Sequence, residues 1–473
     1  TVMSNNDKTK KWVCYNKGGQ YQKWYGNNYY VINWENNGEE LRNSTANLRS
    51  EHLYFKPSIT WTAMGNCTFR LSYPLSIFDS SGSSMFPSEY QIYGILAFCN
   101  SNVMNVFLDI LNPTLSSGAG TISNLPIIED SIYNCDILNK SKENVELVKK
   151  DWNNKEISWG FEKNPLLNRS SSIEDSLNQY INEIENDRRI LKENEEFINE
   201  YFVKIYNLDK KIICVEDKNI SIRMPKEIDL IKDLISYSVG CMFGRYSLEK
   251  NGLILAGGAI DNNKYNIFKP DDDNIIPISD NPDVYYNDDI VCKFKEFIKS
   301  AFGIDNLNKN LDFIAGVLGK RGTESSEETI RRYFVNDFYN DHVKMYQKRP
   351  IYWLFDSGIK NGFKCLIYLH RYNEQIVSKI RTKYLHNTLS VYQRTVEEID
   401  YKLNNEELST TNKRELQNKK VDINNKITEC NEYEEMVGNV ANKMIKLDLD
   451  DGVSVNYAKF VDDNDKSILA KIK

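Results

Sequence analysis

Lys348-Arg349-Pro350-Ile351-Tyr352-Trp353-Leu354-Phe355-Asp356-Ser357-Gly358 is followed by Asn361-Gly362-Phe363-Lys364 and then by Leu369-His370-Arg371-Tyr372. Cations, large rings and turn residues crowd into one short run. Two readings compete. Tyr352 to Phe355 is a compact apolar run closed by Asp356-Ser357-Gly358, the pattern of a buried strand entering a turn. The same rings could stack on bases while Lys348, Arg349 and Arg371 neutralise phosphates. The strand reading is preferred for the rings. The three cations remain candidates for an anionic partner.

Working outward, 473 residues suffice for two to four domains with real cores. Charged residues make up 27% and hydrophobic ones 41%, an ordinary globular balance. Sixty Lys and Arg stand against 67 Asp and Glu, a formal charge of −7. The chain as a whole is therefore not a basic nucleic-acid binder, and any DNA contact must come from local patches. Nine cysteines are scattered without a Cys-x-x-Cys pair, and the 4 histidines are dispersed. This argues against a zinc site or a disulfide framework and for a reducing cytosol. No apolar run is long enough to span a bilayer, and no signal pattern is seen. The first residue, Thr1, suggests a trimmed or excised piece.

The pattern predicts an α+β, multidomain chain in four blocks: 1–135, 136–224, 225–380 and 381–473. The first is β-rich, with dense aromatics (Trp24, Tyr25, Trp34, Tyr54, Trp61), recurrent glycine and asparagine turns, and one helix over 88–111. In the second, Leu177, Ile184, Leu191, Ile198 and Ile205 recur every seven residues. That predicts a long packed helix, and a helical spacer is preferred to a dimer zipper because Asp187 and Asn194 interrupt the second apolar position. The third is mixed α/β: helices near 228–239, 288–302 and 311–318, a strand running into a turn over 253–258, and a solvated acidic loop at Asp271-Asp272-Asp273-Asn274. The fourth is a helical hairpin, with Leu385 to Leu403 returning through Leu416 to Met444, a turn and N-cap at 410–412, and a docked strand within 447–457.

Chemical motifs are mostly missing. Asp448-Leu449-Asp450-Asp451-Gly452 lacks calcium-loop spacing. Gly319-Lys320-Arg321-Gly322-Thr323 lacks the P-loop order, leaving Lys320 and Arg321 as possible phosphate contacts. Asp341-His342 has no second metal cluster beside it and reads as a surface helix. A DNA amino-methyltransferase needs an Asn-Pro-Pro-aromatic loop to hold a flipped base. Asn164-Pro165-Leu166-Leu167 and Asn281-Pro282-Asp283-Val284 lack the second proline and the ring. No strand runs into the Gly-x-Gly turn that a methyl donor needs. Neither a catalytic nor a metal residue is assigned. In the first block, Trp61 to Arg70 combines a ring, an amide and a cation suited to base edges, with Arg49 and Lys56 close upstream. Trp61, Asn66 and Arg70 are therefore candidate DNA contacts, beside the reading in which the rings are core.

Lys23-Trp24-Tyr25-Gly26-Asn27, Val31 to Glu35, Ile77 to Pro87, Ile235 to Tyr246, Arg349 to Gly358 and Asp448 to Phe460 resemble the region after the catalytic domain in the PglX family, the adenine-specific DNA methyltransferases of BREX phage-defence systems. The resemblance covers nearly the whole chain but not the family's N-terminal methyltransferase domain. It implies the C-terminal part of a restriction–modification-like enzyme, with a target-recognition role for the first block. It implies S-adenosylmethionine bound outside this chain, and double-stranded DNA, the missing catalytic domain and other phage-defence proteins as partners. Two rivals stay open: a freestanding specificity subunit acting in trans, and an interaction scaffold.

Overall fold

The computed structural model describes residues 11–65, 67–112, 114, 116–280, 286–405 and 408–472. They form an α+β fold in which helices dominate and three three-stranded sheets are small. The chain divides into two compact units, Thr1–Pro165 with Asn178–Lys226, and Leu166–Leu177 with Glu227–Lys473.

In the first unit, β1 (Trp12–Asn16) pairs antiparallel with β2 (Tyr30–Asn33). A short strand, β5 (Ile77–Phe78), pairs parallel with β1, and the central strand of a second sheet, β3 (Ile59–Trp61), lies between β4 (Phe69–Leu71) and β6 (Ser84–Met85). Register sets Trp61 opposite Phe69, with ring centroids 5.7 Å apart. Trp24 extends the β4 edge: its N–H donates to the Phe69 carbonyl and its carbonyl accepts from Leu71.

The single helix expected over 88–111 is two: α1 (Ile92–Asn100) and α2 (Asn102–Leu111), bent by 71°. Apolar spacing runs straight through the break, but Ser101 takes an extended conformation and caps α2 through Met104 N–H. Asn100 is spent on β4, accepting from Phe69 N–H at 3.1 Å and donating to its carbonyl at 3.0 Å. Among the described residues no single helix is long and apolar enough to cross a membrane, and this bent pair buries Leu96, Ala97, Phe98, Val103 and Met104 in the core.

Next come α3 (Cys135–Asn153) and α4 (Ile173–Ile205). The heptad residues Leu177, Ile184, Leu191 and Ile198 are buried. The two polar interruptions are explained by α3. Asn194 Nδ2 donates to Asn144 Oδ1 at 2.9 Å, and Asp187 receives Lys150 at 2.7 Å. Polar residues placed this way set the register of two helices packed within the chain. Glu195, 2% exposed, accepts from Trp24 Nε1 at 2.6 Å and pairs with Lys23 at 3.1 Å. Burial pulls the Lys23 ammonium down, and Glu195 more than offsets it, so its pKa lies above the ordinary value.

The second unit is built on β7 (Ile276–Pro277), β8 (Tyr352–Asp356) and β9 (Lys364–Tyr368), in the order β7-β9-β8. The strand expected at Tyr352 to Phe355 is present, with Tyr352, Trp353 and Phe355 fully buried. These rings are core, not stacking platforms. The helices Glu227–Met242 (α5), Ile290–Phe302 (α6), Leu307–Val317 (α7), Ser326–Asn336 (α8) and Phe338–Met345 (α9) follow the apolar spacing. The expected hairpin is His386–Asn405 (α10) with Thr410–Asn442 (α11), capped by Ser409 rather than a residue of 410–412. Its core joins Trp353, Phe355, Ile367, Tyr384, Tyr433, Val437 and Phe460.

Four expectations fail here. Residues 253–255 are irregular rather than a strand, because the run finds no ladder partner, and 256–258 form a bend. The acidic loop is packed: Asp271 is 4% exposed and Asn274 2%. Asn274 acts as an extra strand residue, exchanging hydrogen bonds with the Tyr368 backbone. Residues 447–457 hold a short 3-10 turn and the helix Gly452–Tyr457, and Leu469 instead bridges to Phe355. His342 is on the expected helix but 2% exposed, so α9 is not a purely surface helix.

Candidate nucleic-acid interface

The candidate DNA contacts of the first unit fall into two groups. Arg49 and Lys56 are exposed. Lys56 borders a cleft of about 490 Å³ with Pro57, Phe86, Pro87, Ile92 and Tyr93. Trp61 is 1% exposed, and its Nε1 donates to the Ser117 carbonyl at 2.8 Å. Arg70 is also 1% exposed. Its Nη1 donates to Thr62 Oγ1 at 3.1 Å and, at 3.4 Å, to Thr68 Oγ1 and the Gln22 carbonyl. Its Nε and Nη2 have no partner. Burial pushes its pKa down to about 10. In this structure neither Trp61 nor Arg70 offers a face to a DNA groove, and Arg70 instead ties three loops together. Asn66 lies outside the described residues, as does Asn281-Pro282.

In the second unit, Lys320 and Arg321 are exposed in the turn between α7 and α8. Gly319, at φ +82°, ends α7. Its N–H reaches the Gly316 carbonyl and that of Lys320 the Ala315 carbonyl, the double closure of a glycine-capped helix. The glycine is thus spent on helix termination. Nearby Arg331 and Arg332 are committed to Asp289 and Glu324 at 2.8 Å each.

The hairpin β8–β9 gathers the remaining cations. Register sets Tyr352 opposite Tyr368, so the residues before β8 and after β9 share one end of the sheet. Lys348 and Arg349 are exposed there. Arg371 donates from Nη1 to the Phe243 carbonyl at 3.2 Å and from Nη2 to the Asp272 carbonyl at 3.1 Å. It fastens the end of α5 to the acidic loop, and burial lowers its pKa although Asp271 works the other way.

Sequence reasoning missed Arg245 at the same end. Its Nε donates to Tyr246 Oη and its Nη1 to Tyr368 Oη, both at 3.0 Å. The guanidinium lies 5.3 Å and 6.0 Å from the same two ring centroids. Among the described residues no carboxylate pairs with it. Gly240 makes the arrangement possible: a Cβ there would stand 2.4 Å from the Tyr246 ring and 3.2 Å from Tyr352 Oη. The available signal was Gly244-Arg245-Tyr246, a lone cation between a turn residue and a ring.

Asp271, Asp273 and Asp288 bring carboxylate oxygens within 4.8 Å of one another. Lys383 lies 2.7 Å and Lys379 3.8 Å from Asp273, and Lys293 lies 3.9 Å from Asp271. These ammonium groups supply the counter-charge that a metal ion would bring. Burial, then Asp273, pushes Asp271 up to about 6. Tyr15 and Asn16 lie parallel to Ile77 and Phe78, and neither strand of this pair runs directly into a helix.

No protein-family model matches the chain. Its sequence is similar to adenine-specific methyltransferases. It is 41% identical over 475 residues to the adenine-specific methyltransferase PglX of Lacticaseibacillus casei (strain Zhang), an alignment covering 96% of this chain and 39% of that protein. It is 36% identical over 505 residues to the adenine-specific methyltransferase BrxX of Escherichia coli O9:H4 (strain HS), covering 98% of this chain and 40% of that one. The chain thus spans about two fifths of the length of these relatives.

Proposed function

We propose that this chain is the DNA target-recognition and positioning part of a DNA adenine-N6 methyltransferase in a phage-defence system. The observation that carries this reading is similarity over 96% and 98% of the chain to two proteins named as adenine-specific methyltransferases. Methyl transfer from S-adenosylmethionine would be carried out by another portion of the enzyme. The absence of an Asn-Pro-Pro-aromatic loop in the sequence supports that division. In this reading Arg49, Lys56, Lys320, Arg321, Lys348 and Arg349, all exposed, hold phosphates. Phosphate contacts fix register, whereas base contacts select sequence. Trp61, Asn66 and Arg70 would shape the recognition surface, with Trp61 and Arg70 acting through the loops they pack. Arg371 would brace the cationic sheet end.

Duplex binding by the purified chain tests this over a series of salt concentrations. The expected result is measurable affinity at low salt that falls steeply as salt rises, with no methyl transfer from labelled donor by this chain alone. Absence of DNA binding at low salt would sink the recognition role and leave the scaffold reading. Methyl transfer by the chain would sink the division of labour.

A further inference from the structure

We infer that Arg245, His342 and His370 form a binding site for a phosphoryl group at the end of the β8–β9 sheet. Arg245 is half-buried, so a small ligand can reach it. A guanidinium carries five N–H donors. The Nε–H goes to Tyr246 and one Nη1 hydrogen to Tyr368. The second Nη1 hydrogen and both on Nη2 have no acceptor among the described residues. Two ring faces and the tyrosine hydroxyls around it hold the group charged, and no anion completes the site among the described residues.

Both histidines add to the imbalance. His342 Nε2 accepts from the backbone N–H groups of Ile351 and Tyr352, each at 3.1 Å. A ring nitrogen that accepts carries no proton, so the neutral ring's hydrogen is on Nδ1. That Nδ1 is buried and has no partner. His370 Nδ1 is likewise buried and unpartnered. The groups are contiguous: His342 packs on Tyr352 at 4.7 Å, Tyr352 on Tyr368 at 5.6 Å, and Tyr368 on His370 at 5.1 Å. Arg245 lies close enough to both rings for its charge, after burial, to hold their pKa values down. A carboxylate has two oxygens. A phosphoryl group offers three or more, enough for the guanidinium edge and a ring nitrogen together. Exposed Lys348 and Arg349 at the same sheet end would draw such a dianion in.

The site does not depend on the DNA reading, because free phosphate and a DNA backbone phosphate share this chemistry. Two arms separate them, using the whole chain: calorimetric titration with inorganic phosphate at constant ionic strength, and anisotropy with a labelled duplex. Expected in the first arm is saturable binding that weakens at least tenfold in Arg245→Gln and less in Arg245→Lys. Silence in the first arm, with a tenfold loss of duplex affinity in Arg245→Gln at an unchanged melting temperature, also supports the site and assigns it to a backbone phosphate. Phosphate binding and duplex affinity both unchanged in Arg245→Gln would overturn the inference. So would a wild-type chain that binds neither. If Arg245→Gln does not fold, His370→Gln is read in its place, and unchanged binding there overturns the inference equally.

Discussion

Arg70 in one unit and Arg245 in the other have no carboxylate partner among the described residues, and they differ in what surrounds them. Arg70 is sealed, 1% exposed, and clamped by hydroxyl and carbonyl oxygens from Gln22, Thr62 and Thr68. Arg245 is half-buried, held by two tyrosine hydroxyls and flanked by imidazole nitrogens without partners. The first is a strut: its contacts are internal, and no ligand reaches it. The second has donors left over and is only partly covered. Missing counter-charge alone does not mark a binding site; missing counter-charge with access does. Lys23 sharpens the contrast, since it is equally buried but matched by Glu195.

The largest effect should come from breaking that matched pair. Glu195→Gln leaves the Lys23 ammonium buried without its anion and weakens the acceptor for Trp24. A loss of about 3–5 kcal/mol is expected in urea unfolding. A loss below about 1 kcal/mol would mean that Lys23 is already neutral or hydrated, and the contrast with Arg245 would collapse.

Acid should act next, through His342. Burial, then the Arg245 charge, pushes this imidazole down to about 3, while in the unfolded chain it titrates near 6.5. Its folded pKa is depressed, so the unfolded chain takes up the proton first. The stability it supports is present above pH 6.5 and is lost as pH falls from there towards 3. The slope expected from this one group is about 1.4 kcal/mol per pH unit. Arg245 is the charged group facing it, with Tyr346 and Tyr352 packed on the ring. Comparing wild type with Arg245→Gln should show a shallower acid limb in the variant; identical limbs would remove Arg245 from the account.

Asp271→Asn should act the other way. The Asp271 pKa is raised to about 6 in the folded chain, so the proton is held more tightly there than when unfolded. Stability is therefore lost as pH rises from about 4 through 6. Asparagine keeps the Oδ1 acceptor used by the Asp273 and Ile275 N–H groups. A gain of about 1–2 kcal/mol at pH 7 that disappears below pH 4 is expected from melting curves.

Arg70→Met should move stability by no more than about 1 kcal/mol, because lost hydrogen bonds are offset by removing an unmatched charge. In the proposed DNA-binding reading, base preference should change only if loop packing changes. The smallest effect on stability belongs to Lys348→Ala and Arg349→Ala, within about 0.5 kcal/mol. Each should still lower the slope of log affinity against log salt by about one if it holds a phosphate. An unchanged slope would exclude both from the interface.

Where one periodicity decides, the fold was legible. Leu177, Ile184, Leu191 and Ile198 announced α4, and Tyr352 to Phe355 announced β8. Even the polar interruptions at Asp187 and Asn194 had physical content, later supplied by Lys150 and Asn144. The failures share a cause. Residues 253–258 have a strand's composition, but a strand exists only with a partner, and composition does not name one. Ser101 broke a helix whose apolar spacing was continuous, because the cap depends on one side chain. The site was less legible still. Arg245 is unremarkable beside Tyr246; its meaning comes from Tyr368, more than a hundred residues on, and from His342 and His370. Burial, which separates Arg70 from Lys348 and Arg349, is invisible in a residue type.

The turn after β8 carries a consequence for how this chain acquires its shape. Glu429, on α11, accepts from Ser357 Oγ at 2.7 Å, Lys360 N–H at 2.8 Å and Gly362 N–H at 3.0 Å. During synthesis the strands on either side of that turn, the second ending at Tyr368, are complete roughly sixty residues before the carboxylate that organises it. The β8–β9 hairpin must therefore wait, half-finished, for the ribosome to deliver α11. Shortening the chain before Glu429 would leave three donors at the turn reaching for water. Nascent-chain protease protection of the hairpin should appear only once α11 has emerged.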